Sequence, residues 1–290
     1  MKGYIELINN KLKEYFTKGD HREQVLLDAM EYSLSLPGKR VRPALTLAFC
    51  ELCSGRAEDA LPFACGVEMI HTFSLIHDDL PCMDNDDYRR GQLSNHKVFG
   101  EDIALLAGDA LTIKAFEVML SPEAIAAVGA ENAAKAACVL AQKAGSLGMT
   151  GGQVIDLSSE GKHVGIDILR EMDEKKTAAL IEAACMMGCI AAGADEKKII
   201  AAQDYAHNIG IAFQIVDDIL DVTSTTEELG KAVGSDLEND KSTYVSLLGI
   251  DECRRLASDY TEKAVAALSA FDTDITKLAE FAYQLRDRKK

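Results

Sequence analysis
The sequence predicts an all-α fold, on three observations. All five prolines lie at or before Pro122, so the longer part of the 290-residue chain lacks the residue that most surely interrupts a helix. Alternating runs of Val, Ile and Thr, the mark of half-buried strands, are missing, while the helix formers Ala, Leu, Glu, Lys and Met dominate. No internal repeat, low-complexity linker or shift of composition divides the chain, so residues 1–290 read as a single domain of about ten helices or more at ordinary helix length.

Breaks between helices are expected at Leu36-Pro37-Gly38, Ser54-Gly55, Ser121-Pro122, Gly151-Gly152, Gly161 to Gly165 and Gly230 to Gly234. Glu131 to Gly145 and Thr177 to Gly193 are long, alanine-rich and weakly amphipathic, as expected of helices buried among others. Hydrophobic residues make up 48% of the chain and charged ones 27%, enough apolar material for a sizeable core. The net charge of −16 repels nucleic acid and anionic membranes, so a polyanionic ligand would need a local basic cluster or a metal. No stretch approaches the ~20 apolar residues of a membrane-spanning helix, and Met1-Lys2-Gly3-Tyr4-Ile5-Glu6-Leu7 lacks the apolar core of a secretion signal. The eight cysteines fall mostly in helical stretches and read as reduced, packed thiols. Cys50-x-x-Cys53 has ligand spacing but no second pair or His to complete a zinc site. These features point to a cytoplasmic protein with no membrane insertion and no nucleic-acid partner.

The chemistry concentrates in two acidic segments. In the first, Ile70, Phe73, Ile76 and Leu80 recur at helical spacing until Pro81 disfavours helix at Leu80, which places Asp78 and Asp79 in a last helical turn. Carboxylates there oppose the helix dipole by up to ~1 kcal/mol each unless a cation offsets them. Such hard oxygen ligands suit Mg²⁺, although a solvated acidic loop would have the same composition. The second segment, Phe213-Gln214-Ile215-Val216-Asp217-Asp218-Ile219-Leu220-Asp221, puts three carboxylates on one helical face within an otherwise apolar stretch. Two such clusters suggest two facing helices that clamp metal ions.

Basic residues gather despite the net charge: Gly38-Lys39-Arg40-Val41-Arg42-Pro43, Arg89-Arg90-Gly91, His96-Lys97, Lys175-Lys176-Thr177, Lys231 and Lys241. The lysines of the later groups are expected in loops or at helix ends, and each alone would read as a surface charge. Together with metal clusters they suit diphosphate, Arg as a fork and Lys as a point charge. A metal-held diphosphate is a good leaving group, and its loss from an allylic carbon leaves a delocalised cation. A second diphosphate, held by basic residues without metal, would present its alkene to that cation. Proton loss to the released diphosphate would need no strong protein base.

In order from Gly38 to about Ser246, Gly-Lys-Arg-x-Arg-Pro, the first aspartate motif with Arg-Arg-Gly, Gly-Gly-Gln-x-x-Asp, Lys-Thr, Phe-Gln-x-x-Asp-Asp-x-x-Asp and Gly-Lys-x-x-Gly-Ser-Asp resemble the trans-isoprenyl diphosphate synthases. The resemblance implies a helical bundle around a deep central cavity, a homodimer, and three Mg²⁺ ions. It implies that Asp78, Asp79, Asp84, Asp217, Asp218 and Asp221 serve the metals. Gly38, Lys39, Arg42, His71 and Arg90 would hold isopentenyl diphosphate, and Arg89, Lys176, Thr177, Gln214, Lys231 and Lys241 the allylic diphosphate. Asp78, Asp79, Asp84, Arg89, Lys176, Asp217 and Lys231 would be the catalytic set. His71 lies seven residues before Asp78 and so shares its helix face.

The four residues between Asp79 and Asp84 match the spacing in bacterial farnesyl synthases and plant-type geranylgeranyl synthases. In such enzymes bulk below the aspartates limits the product, and Phe73 stands about 7.5 Å down the axis from Asp78. Phe73 would then stop growth at farnesyl diphosphate, with geranylgeranyl diphosphate the alternative if the ring is ordinary core. Leu93-Ser94 replace the family's usual Pro-Thr, which leaves that loop's geometry open. A terpene cyclase would also ionise an allylic diphosphate, but it usually carries an Asn/Ser/Glu-type second motif and needs no second diphosphate site. A catalytically inactive regulatory subunit tends to lose one aspartate motif, and both are intact here. Whether the terminal cations Arg286, Arg288, Lys289 and Lys290 close over the site is open from sequence.

Overall fold
A computed structural model of the chain describes residues 2–16, 19, 22–223 and 242–288. The all-α expectation is met: among these residues the only strands form one two-residue hairpin. The chain sorts into two compact units, both discontinuous in sequence: Met1–Cys138 with Met187–Gly193, and Val139–Met186 with Ala194–Lys290.

The first unit begins with α1 (Lys2–Glu14), α2 (Gln24–Ser35) and α3 (Val41–Leu52). At its centre is α4 (Leu61–Asp78), which opens with Pro62 in its first turn, where no amide is lost, and is buried almost continuously from Leu61 to Ile70. It stops at Asp78, as the strain before Pro81 predicts. After α5 (Asn95–Phe99), α6 (Glu101–Met119) starts with two acids in its first turn and packs along α4. Glycine permits that close approach: a Cβ on Gly108 would meet His77 Nε2 at 2.1 Å. Next come α7 (Pro122–Val128), capped by the Ser121 side chain, and α8 (Ala130–Ala144), which runs on into the second unit.

The second unit holds α9 (Met149–Ser159), α10 (Ile166–Asp173), α11 (Ala179–Ala191, whose end belongs to the first unit), and the 28-residue α12 (Glu196–Thr223). Then follow α13 (Tyr244–Leu248), α14 (Ile250–Ala267) and α15 (Thr276–Arg286). Ile211, Ile215, Val216 and Leu220 of α12 pack with Leu169, Tyr244, Cys253 and Ala257 as one core cluster.

Two expectations are corrected here. Gly151-Gly152 lies inside α9, because a Cβ on Gly152 would meet the backbone nitrogen of Lys176 at 2.3 Å: these glycines serve close packing, not a turn. Lys175-Lys176-Thr177 is no loop or helix end but part of a π-helical turn, Glu174–Ala178, joining α10 to α11. The expected break at Gly230 to Gly234 lies outside the described residues. No single helix among the described residues is long and apolar enough to cross a membrane.

Candidate active site
The first aspartate motif is made by stopping a helix and folding the chain back. Asp84 donates its amide to the carbonyl of Asp78 at 2.9 Å, and Asn85, with φ of 54°, returns its amide to Leu80 at 3.1 Å. Asp78 and the exposed Asp84 are thus neighbours despite the residues between them. Asp79 turns inward, 2% exposed. Burial raises its carboxyl above the usual range, against the pull of Arg89, whose Nε donates to Asp79 Oδ1 at 2.9 Å.

Arg89 is delivered by the short hairpin Tyr88–Arg89 and Gln92–Leu93, turned by Arg90 (φ 56°) and Gly91 (φ 79°). Two consecutive positive φ values mark a primed turn, which matches the twist of paired strands. The Leu93-Ser94 departure leaves this loop anchored: Tyr32 Oη donates to the Leu93 carbonyl at 2.7 Å, and Ser94 Oγ lies 3.1 Å from His96 Nδ1.

Behind the hairpin is a basic cluster. Arg42 Nη1 lies 3.5 Å from His71 Nε2, and Arg42 Nε is buried without a protein partner. A Cβ on Gly38 would fall 2.4 Å from Arg90 Nη1, so the loop backbone lies directly against that guanidinium and a larger residue would push it aside. Burial, then the charges of Arg42 and Arg90, hold the His71 ring well below its usual range, so it is neutral at pH 7. Burial also lowers Arg42 and Arg90, and each arginine is countered by the charge of Glu68. Lys39 stays exposed. A crowd of cations with one buried acid can accommodate an anion.

In the second unit, Asp217, Asp218 and Asp221 share a face of α12. Asp218 Oδ2 accepts from the Tyr244 amide at 2.7 Å, and Asp221 is 3% exposed. Asp217 Oδ1 accepts from Arg288 Nη2 at 2.6 Å, and that guanidinium stacks 3.9 Å from the centre of the Phe213 ring. The tail therefore does reach the second motif. The π-turn aims Lys176 Nζ at the carboxylate of Asp156, the acid of Gly-Gly-Gln-x-x-Asp. Thr177 follows in the same turn. Gln214 Nε2 lies 3.5 Å from Asp173 Oδ1, and burial pushes the Asp173 carboxyl up to about 7. Lys231 and Lys241 lie outside the described residues.

Among the described residues no three His, Cys, Asp or Glu side chains form a cluster that could hold an ion alone. Mg²⁺ does not require one, since one or two carboxylates with water and phosphate commonly suffice. The donors fit: they are carboxylate oxygens, and Asp79 and Asp217 already draw an arginine each.

Arg40, Glu68, Asp156, Asp173 and Arg288 were not singled out as site residues from sequence. Glu68 gave a signal, an acid within the apolar run Phe63 to Ile70. Arg40 gave none that separates it from Lys39 and Arg42.

The polyprenyl synthetase family model matches residues 23–281. A geranylgeranyl diphosphate synthase of Cyanophora paradoxa is 46% identical over 278 residues, covering 96% of this chain and 91% of the relative. A chloroplastic geranylgeranyl pyrophosphate synthase of Catharanthus roseus is 50% identical over 248 residues, covering 85% and 69%. The crystal structure of an FPP/GFPP synthase from Zymomonas mobilis is similar with a TM-score of 0.87 at 33% identity, covering 98% of this chain and 96% of that one.

Proposed function
The chain belongs to the polyprenyl synthetase family and is a prenyltransferase, and on that premise we propose that it adds isopentenyl diphosphate head-to-tail to allylic diphosphates until geranylgeranyl diphosphate is reached. The observation that carries this reading is the pairing, within one compact unit, of an acid-poor Arg42–His71–Arg90 cluster with the Asp78–Asp79 motif. One suits a diphosphate held without metal, the other a diphosphate held with it.

Mg²⁺, held by Asp78, Asp79 and Asp84 and by Asp217, Asp218 and Asp221, would supply positive charge to the departing diphosphate of the allylic substrate. Lys176 and Arg89, now on Asp156 and Asp79, would turn to the same leaving group, with Thr177 and Gln214 orienting it. Lys39, Arg42 and Arg90 would grip isopentenyl diphosphate while neutral His71 adds a hydrogen bond without further charge. Lys231 and Lys241 are part of the proposal from sequence alone. So are a homodimer, a deep cavity that excludes water, and three Mg²⁺ ions per site.

The names of the two sequence relatives favour the twenty-carbon product over the expected likeness to bacterial farnesyl synthases. One observation favours a farnesyl stop: Phe73 meets the His77 ring edge-on at 5.6 Å, and His77 Nε2 lies 3.0 Å from the Leu105 carbonyl on α6. The aromatic ring thus leans on a fixed support. Purified protein given isopentenyl and dimethylallyl diphosphates, with Mg²⁺ or EDTA, is expected to make a twenty-carbon alcohol after dephosphorylation, only with metal. A fifteen-carbon product that lengthens in Phe73→Ala would establish the second reading, and no condensation by folded protein would sink both.

A further inference from the structure
We propose that Glu68, acting through Arg40, is a positioning residue for the isopentenyl diphosphate site, which deepens the function proposed above and rests on it. Of the three cations in Lys39-Arg40-Val41-Arg42, Arg40 is the buried one. Its Nη1 donates to Glu68 Oε1 at 2.7 Å, with both side chains nearly closed to solvent at 4% and 3% exposure. Its Nε donates to Asn9 Oδ1 at 3.0 Å, and its Nη2 reaches the carbonyls of Leu36, at 3.3 Å, and Leu34. One guanidinium thereby ties α1, the end of α2 and α4 to the residue that opens α3.

The backbone records that tie. Arg40 sits in the left-handed region, φ 47° and ψ 40°, a conformation rare for a long side chain. It is held there by four side-chain hydrogen bonds, and the twist sends Lys39 outward while Arg40 goes in. Arg42, two residues on, meets His71, and Gly38, two residues back, lies against Arg90. The group placed by Arg40 is therefore the group that would grip the substrate. Electrostatics points the same way: Glu68 is the acid whose charge supports both Arg42 and Arg90. Glu68 thus lets the arginines crowd together without filling the anion site itself.

The test uses the full-length protein. Glu68→Gln keeps the shape and removes the charge, leaving a buried guanidinium unpaired. It is expected to raise KM for isopentenyl diphosphate on the order of 10-fold, with KM for the allylic substrate unchanged within about two-fold. Asn9→Ala, which removes one neutral contact at the same arginine, should raise KM for isopentenyl diphosphate by about two- to three-fold. A purely structural pair would lower Tm and leave both KM values of the folded fraction alone, and that result overturns the proposal. If Glu68→Gln fails to fold, an unchanged KM in Asn9→Ala overturns it and a selective rise supports it. Calorimetry with inorganic diphosphate in EDTA separates this inference from the reaction it rests on. Binding that Arg42→Ala abolishes and Glu68→Gln weakens would support the positioning role even if no condensation occurs. Equal binding by native protein and Glu68→Gln, or no binding by the native protein, would sink it.

Discussion
The two aspartate motifs offer the same chemistry from opposite constructions. The first sits where a helix is made to stop, and its acids are gathered by a fold-back between Asp84 and Asp78 and a left-handed Asn85. The second needs no turn at all: helical pitch alone aligns Asp217, Asp218 and Asp221 inside α12. Their arginines differ in kind as well. Arg89 comes from an adjacent hairpin to a carboxylate 3% exposed, whereas Arg288 comes from the tail to one 46% exposed. The first arginine covers a buried carboxylate within the motif's own fold, and the second, held also by the Phe213 carbonyl and ring, meets a carboxylate that solvent still reaches.

Removing the acids should hide this difference. Asp78→Ala and Asp217→Ala are each expected to lower kcat by on the order of 10²–10³-fold or more, measured at saturating Mg²⁺. Loss from one alone would mean that the two motifs do not share the leaving group. Removing the arginines should expose the difference. Arg89→Ala leaves the buried Asp79 uncompensated and should cost about 2 kcal/mol after allowance for the partial exposure of Arg89. Arg288→Ala leaves Asp217, whose carboxylate is half-exposed and can be rehydrated, and should cost about 1 kcal/mol. Thermal unfolding would show it, at roughly 2–4 °C per kcal/mol for a chain of this size class. Equal losses would refute the distinction drawn between the two arginines.

A further expected effect concerns pH. Asp173 lies beside the second motif, with its carboxyl pushed to about 7 mainly by burial and then by Asp156. Between the ordinary value of 3.8 and about 7 the folded chain holds a proton that the unfolded chain has released, so stability should fall as pH rises through that window. Asp173→Asn should flatten the profile between pH 5 and 8. A native Tm that rises instead would contradict the assignment.

Much of this was legible before any coordinates. The helices expected at Glu131 to Gly145 and Thr177 to Gly193 stand at Ala130–Ala144 and Ala179–Ala191, but only the second is buried among others. The first, α8, is amphipathic and buries one face, Ala133, Ala136, Ala137, Leu140 and Ala144, because alanine composition does not show which face meets solvent. Pro81 ended α4 for the stated steric reason. What failed was glycine. Gly151-Gly152 reads as punctuation in one dimension, and only the backbone of Lys176 passing close by shows why a helix needs it. Pattern likewise could not register a hairpin of two residues per strand, which is shorter than any periodicity window. Within Lys39-Arg40-Val41-Arg42 the division between ligand-facing and inward cations depends on one left-handed dihedral, which residue type does not reveal.

The π-turn at Glu174–Ala178 amounts to one surplus residue carried inside a helix. Deleting a residue there would be silent to hydrophobic pattern, since α10 and α11 would simply fuse into regular helix. The flanking helices would keep nearly the same phase, because the turn only absorbs the extra residue, but the side chains carried by the turn would be re-aimed. Lys176 would lose the direction that brings it to Asp156, with the helix better formed than before. Among family members, the length of this turn should therefore be guarded more strictly than the identity of most residues in it.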